Sequence, residues 1–221
     1  MNLPWVSRVF GLIFTRRNEL ETRDKIIAVA IREFSAAGIK SVTMDRIARE
    51  AGISKKTIYQ EFKDKKELVY ETFFRELEKN ACKLKDMEVD ADGVIEHLIE
   101  FSRFLRERFT DMHPMVLNEI KRYYPESWAL FEQFKEEYAI RNLEDLMERG
   151  KALGYFRPEI NSRLLALMRL EQISLLLDPS RFNPVKVNLG EIQLQMFEHF
   201  LYGIFTEKGR VAYQEQMNHQ L

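Results

Sequence analysis

The chain has 221 residues, 45% hydrophobic and 31% charged, with only 9 Gly and 6 Pro; this suits a globular, helix-rich protein and excludes intrinsic disorder and collagen-like repeats. A single cysteine, Cys82, rules out a disulfide framework and a cysteine-built zinc or iron–sulfur site, and four scattered histidines leave little for a metal centre. The net charge of −1 hides an asymmetry: residues 23–66 hold 11 Lys/Arg against 6 Asp/Glu, and residues 67–221 hold 20 against 27, as expected if one end meets a polyanion.

The first 21 residues stand apart. Their apolar cluster at 9–14 is short and is followed by Arg16 and Arg17, whereas a signal peptide places basic residues before its apolar run and small residues at a cleavage site. We read residues 1–21 as an N-terminal extension, with an arm reaching towards a partner or DNA as the rival reading. No apolar run reaches the ~18 residues of a spanning helix. The expectation is a cytoplasmic protein without membrane contact, metal or cofactor.

From Thr22 the apolar residues fall at helical spacing. Ile26, Ile27, Ala30, Ile31 and Phe34 form one stripe, and Gly38 is placed to end that helix in a left-handed cap. A second helix should open at Thr43, whose hydroxyl can cap it, and bury Met44, Ile47, Ala48 and Ala51. Gly52 supplies a tight turn, Ser54 caps a short third helix over residues 55–60, and a fourth opens near Asp64. Helix, short turn, short helix is the spacing of a helix-turn-helix.

Successive residues of the third helix are about 100° apart. With Ile58 facing inward, Phe62 falls on the same side, and Lys56 and Gln60 stand either side of the outward pole. Thr57 and Tyr59 lie on the flanks. A helix lying in the major groove needs long polar side chains at its pole and phosphate donors beside them. Lys56 and Gln60 are therefore candidate base readers, since Lys donates to guanine and Gln pairs both ways with adenine. Thr57 and Tyr59 are candidate phosphate ligands, and Lys55, Lys63 and Lys65 add charge around the rim.

These residues carry a family resemblance. Arg23, Ile26, Ala30, Phe34, Gly38, Thr43, Ile47-Ala48, Ala51-Gly52-Ile53-Ser54, Thr57-Ile58-Tyr59, Phe62, Lys65 and Leu68 resemble the DNA-binding domain of TetR-family transcriptional regulators. The resemblance implies a homodimer that sets two recognition helices in successive major grooves of a near-palindromic operator. It also implies that Thr43, Tyr59 and Lys65 hold phosphates, and that Lys55, Lys56, Thr57 and Gln60 face the bases or the adjoining phosphates. Two positions depart from the pattern. Lys56 stands where many members have a small residue, and Glu61 stands where many have His, so that phosphate contact is not carried over.

Downstream, helices are expected at about 64–87, 93–109, 113–124, 126–149, 160–177 and 188–208, with a loop across 178–184. Pro114 and Pro125 fit first turns of helices. No strand-like alternation appears. The fold class is all-α: an N-terminal three-helix helix-turn-helix DNA-binding domain at 22–67, then a larger helical ligand-binding and dimerisation domain at 68–221. The last two expected helices are apolar on more than one face, which a partner subunit would cover; the resemblance makes them the dimer interface.

A ligand pocket is expected among the helices between 93 and 177. Phe101, Phe104, Met112, Trp128 and Phe131 supply apolar and aromatic walls, with His113, Tyr123 and Glu171 to orient a polar group. Glu171 lies in an apolar stretch, where a buried carboxylate asks for a partner, either Arg103, Arg169 or a cationic ligand, and the acidic body leans towards a cationic or neutral ligand. Enzyme motifs are absent from the sequence: no paired Glu-x-x-His set, no phosphate-binding glycine loop and no nucleophile elbow. The expected protein is a cytoplasmic, dimeric regulator, a repressor released from double-stranded operator DNA by a small-molecule effector. The rivals are a regulator without a ligand and a helical binding protein whose basic head reads no sequence. A small molecule bound on purification would separate the first from both.

Overall fold

The computed structural model describes residues 17–90, 93–111, 113, 115–176 and 188–218. Among these the chain is helical and no strand forms. In order come α1 (Arg17–Ala37), α2 (Met44–Glu50), α3 (Lys55–Glu61), α4 (Lys65–Asp90), α5 (Val94–Asp111) and α6 (Val116–Tyr123). Then follow α7 (Pro125–Phe134), a π-helical turn (Lys135–Ala139), α8 (Ile140–Ala152), α9 (Ser162–Leu176), α10 (Leu189–Ile204) and α11 (Glu207–Asn218).

The apolar stripes build two cores. In the first, Ile26, Ile27, Ala30 and Phe34 of α1 meet Met44, Ile47 and Ala48 of α2, Ile58 of α3, Phe62, and Leu68 and Val69 of α4. Val116 and Ile120 of α6 belong to this same core, so a helix of the larger domain is docked on the N-terminal head. The second core joins α5, α8 and α10 through Leu98, Ile99, Leu146, Met147, Phe197 and Leu201, with Phe205 and Tyr213 closing one end.

Three boundaries differ from the sequence expectation. Helix α1 starts at Arg17, inside the segment assigned to the extension. The helix expected over 126–149 runs from Pro125 to Ala152, with Pro125 in its first turn, but is interrupted by the π turn. The helix expected over 188–208 stops at Ile204, and α11 follows it. The cause of that break is a clasp. Phe205 is extended, Arg157 N–H donates to the Ile204 carbonyl at 2.9 Å, and Thr206 N–H donates to the Tyr155 carbonyl at 2.9 Å. Thr206 Oγ1 then accepts the Gly209 N–H at 3.1 Å and starts the new helix. Residues 1–16, Met112, Pro114 and the expected loop over 178–184 lie outside the described residues.

Candidate nucleic-acid interface and internal cavity

The turn that aims α3 is built from backbone hydrogen bonds that only a left-handed residue allows. Gly52 has φ +65, its N–H donates to the Arg49 carbonyl at 3.0 Å, and Ile53 N–H donates to Ala48 at 3.0 Å. That pair is a Schellman motif, with Ile53 packed on the head core beneath it. Ser54 then caps α3, its Oγ accepting the Thr57 N–H at 3.1 Å. On the other side, Asp64 Oδ1 accepts the Glu67 N–H at 2.9 Å and opens α4.

Within α3, Ile58 is buried, while Lys55, Lys56, Tyr59 and Gln60 are exposed and Thr57 is half-buried. Tyr59 keeps 45% of its surface open, which for a large aromatic on a short helix means that its ring is presented outward. Thr57 Oγ1 lies 2.8 Å from Ser54 Oγ. Thr43 caps α2, accepting the Arg46 N–H at 3.1 Å, and its own hydroxyl proton remains available to an acceptor outside. Lys55 Nζ sits 2.9 Å from Asp45 Oδ2, and that hydrogen bond holds its pKa above the ordinary value.

Lys65, expected at a phosphate, also bonds within the head. Its ammonium is half-buried and donates to the Ile39 carbonyl at 2.6 Å and to the Val42 carbonyl. Burial pushes its pKa down. The side chain ties α4 to the turn after α1, because α4 starts directly beneath carbonyls that no helix satisfies. Lys63 and Lys66 are the exposed cations at this edge.

Sequence reasoning also passed over the residues that fix the head's geometry. The Arg23 guanidinium lies 4.1 Å from the Phe62 ring centroid, donates to the Glu61 carbonyl, and pairs with Glu67 at 3.3 Å and Glu71 at 3.7 Å. It therefore clamps the end of α3 between α1 and α4. Glu33 is buried and meets Arg46 at 2.8 Å, joining α1 to α2. Charged residues at these spacings read as solvated faces until the helices are packed.

Behind the head lies a cavity of about 400 Å³, within the range of small-molecule sites. Its walls come from α1, α4, α5, α6, α7, the π turn, α8 and α9, and include Phe34 and Ile39 of the head itself. Phe101, Phe104 and Phe131 line it as expected positions. The other expected pocket residues that are described lie elsewhere. Trp128 packs on the head core, with Lys121 Nζ 5.2 Å from its ring centroid, and Tyr123 is 45% exposed. His113 N–H donates to the Ser35 carbonyl at 2.8 Å, and its Nδ1 accepts the Met115 N–H at 3.3 Å.

Glu171 is the clearest correction. Its side chain is 65% exposed and pairs with Lys135 at 3.1 Å. It falls on the outward stripe of α9 with Leu164, Leu167, Met168 and Leu175, all of them exposed. The inward stripe is Ala166, Arg169, Leu170 and Ile173, so the cavity meets a buried cation where sequence reasoning expected an acid. Arg169 and Gln193 are both buried with side-chain atoms that lack a hydrogen-bond partner among the described residues. No group of acidic, His and Cys side chains suited to a metal ion occurs among the described residues, nor is any described helix long and apolar enough to cross a membrane.

Comparison with known proteins gives the same outline. Residues 26–72 match the family described as bacterial regulatory proteins, tetR family. An HTH-type transcriptional regulator of Staphylococcus aureus (strain USA300) is 38% identical over 63 residues, 28% of this chain and 34% of the relative. The chain thus spans well under half the length of the curated relatives it matches. Among solved structures, the fatty acid degradation regulator FadR from Bacillus halodurans superposes with a TM-score of 0.64 at 21% identity, over 81% of this chain and 94% of that one. A transcriptional regulator from Saccharomonospora viridis in complex with choline gives 0.67 at 19% identity, over 85% and 99%. At these identities the likeness is one of fold.

Proposed function

The chain belongs to the TetR family of bacterial transcriptional regulators, and on that premise we propose that it is a dimeric repressor released from an inverted-repeat operator by a small molecule in its cavity. The observation that carries this reading is the position of the cavity. Its wall includes Phe34 and Ile39, which belong to the packing of the DNA-reading head, and Val116 and Ile120, which belong to α6. A ligand there presses on the joint between head and body. It shifts the balance between DNA-competent and released geometries by as much as its affinity for the two differs.

In this reading Lys56 and Gln60 contact base edges, while Thr43, Lys55, Thr57 and Tyr59 contact phosphates or adjoining bases. The outward stripe of α9 meets a second copy. Such an apolar face, open in one subunit, supports the assembly. Two neighbours of the same fold, named for fatty acid degradation and for a choline complex, support a small organic effector.

Selection of duplexes from a random pool tests this reading. The expected product is an inverted repeat with half-sites about one helical turn, roughly 34 Å, or a multiple of it apart. A pool that never converges would overturn it.

A further inference from the structure

Arg169 is the most unusual side chain in the cavity wall. It has no solvent exposure, yet Nε and Nη2 have no hydrogen-bond partner among the described residues. Its one side-chain hydrogen bond among the described residues is a long one, from Nη1 to Gln172 Oε1 at 3.4 Å, and the Phe197 ring centroid lies 5.3 Å from the guanidinium carbon. A guanidinium stays charged in proteins, and a buried charge is costly until it is paired. Burial without an offsetting acid holds its pKa down at about 10, which leaves it cationic at neutral pH.

Of the other charges in the cavity lining, Lys79 is exposed to solvent and the rest are paired. Glu76 pairs with Arg108 at 2.9 Å, and Lys135 pairs with Glu132 at 3.0 Å and Glu171 at 3.1 Å. The rest of the lining is mainly aliphatic and aromatic. Nε and Nη2 share one edge of the guanidinium plane, and that edge is the fork that takes both oxygens of a carboxylate.

We infer that the cavity takes a small organic monoanion, a carboxylate on an apolar chain, with its head group held by the Nε–Nη2 edge of Arg169. The apolar chain lies against Phe101, Leu105, Leu170 and Ile173, and the carboxylate supplies the charge that Arg169 otherwise lacks. This assignment rests on the reading of the cavity as an effector site, and it replaces the cationic or neutral ligand to which the acidic body points. It needs no covalent step. A neutral ligand of the same shape would fill the cavity but leave the cation uncompensated, so the site selects on charge.

The test is calorimetric titration of the full chain, free of DNA, with decanoate, decanol and choline, for the unsubstituted protein, Arg169→Met and Arg169→Lys. The expected result is that decanoate binds roughly tenfold to hundredfold tighter than decanol, as charged hydrogen bonds in a buried site imply, and that choline does not bind. Arg169→Met should lose that preference while keeping decanol. Removing a buried, unpaired charge should also raise the melting temperature of the ligand-free protein. Arg169→Lys should retain part of the preference, since it keeps the charge and loses the fork.

Equal binding of decanoate and decanol to the unsubstituted protein overturns the assignment, as does preference for choline, absence of decanoate binding, or undiminished decanoate binding by Arg169→Met. Operator release is then measured separately with decanoate. Tight decanoate binding that leaves operator affinity unchanged would overturn the effector reading and leave the site assignment standing.

Discussion

Glu119 on α6 holds Ile39 at the end of the head: its Oε2 accepts the Ile39 N–H at 2.6 Å and also the Lys40 N–H at 3.0 Å. Ile39 is at once a buried residue of the head core and part of the cavity wall. One carboxylate from the body thus completes the end of α1, where Gly38 at φ +78 has already turned the chain out of the helix. The head does not hang from α4 alone, and any movement of α6 is felt at the turn before α2.

Glu119→Ala should therefore lower stability by about 1–3 kcal/mol, the cost of leaving two backbone N–H groups with no acceptor. Urea unfolding measures it, and a loss below about 0.5 kcal/mol, the range of an ordinary surface change, would contradict the role. In operator titrations the variant should also show a smaller change in affinity on adding effector than the unsubstituted protein does.

Lys65 gives a pH-dependent signature. Its folded pKa lies below the ordinary 10.5 because burial disfavours the ammonium. The unfolded chain therefore binds the proton more tightly, so this group's contribution to stability rises with pH as it approaches 10.5 from below. Lys65→Met should abolish that rise, seen by comparing denaturant midpoints at roughly pH 8 and 10. At neutral pH the variant should lose about 1–2 kcal/mol with the two carbonyl contacts. The salt slope of DNA binding should stay unchanged if the ammonium stays turned inward on the Ile39 and Val42 carbonyls. A slope reduced by about 1 would place Lys65 on a phosphate instead.

The outward face of α9 makes its own prediction. Leu164 is 53% and Met168 49% exposed, one turn apart. Leu164→Glu with Met168→Glu should convert the dimer to monomer, read by light scattering, and operator affinity should fall with it, because each subunit then reaches only one half-site. A double variant that remains dimeric would put the interface elsewhere.

The parts legible in the sequence are those governed by local rules. Ile58 of α3 and Phe62, which caps its end, enter the same core as helical spacing predicts. Thr43, Gly52 and Ser54 occupy the cap and turn positions that their chemistry favours. Both facts needed no knowledge of the rest of the chain. By contrast, α9 is apolar on two sides, so periodicity could not say whether Arg169 or Glu171 faced inward. Only packing against α8 and α10 decides it. Helix α11 was missed for a similar reason, since the break at Phe205 comes from a clasp with Tyr155 and Arg157, some 50 residues earlier. The Thr206 cap was visible, but the apolar run before it masks the stop.

The most direct measurement is titration of the protein against the DNA upstream of its own gene, beside a scrambled duplex and Tyr59→Ala, at two salt concentrations. The account predicts a preference for the native duplex of about 1000-fold or more, lost in the variant while its fold and dimer are kept. Equal affinity for both duplexes, falling steeply with salt and unchanged by Tyr59→Ala, would mean that only phosphate charge is recognised and would contradict the assignment of α3 as a sequence reader.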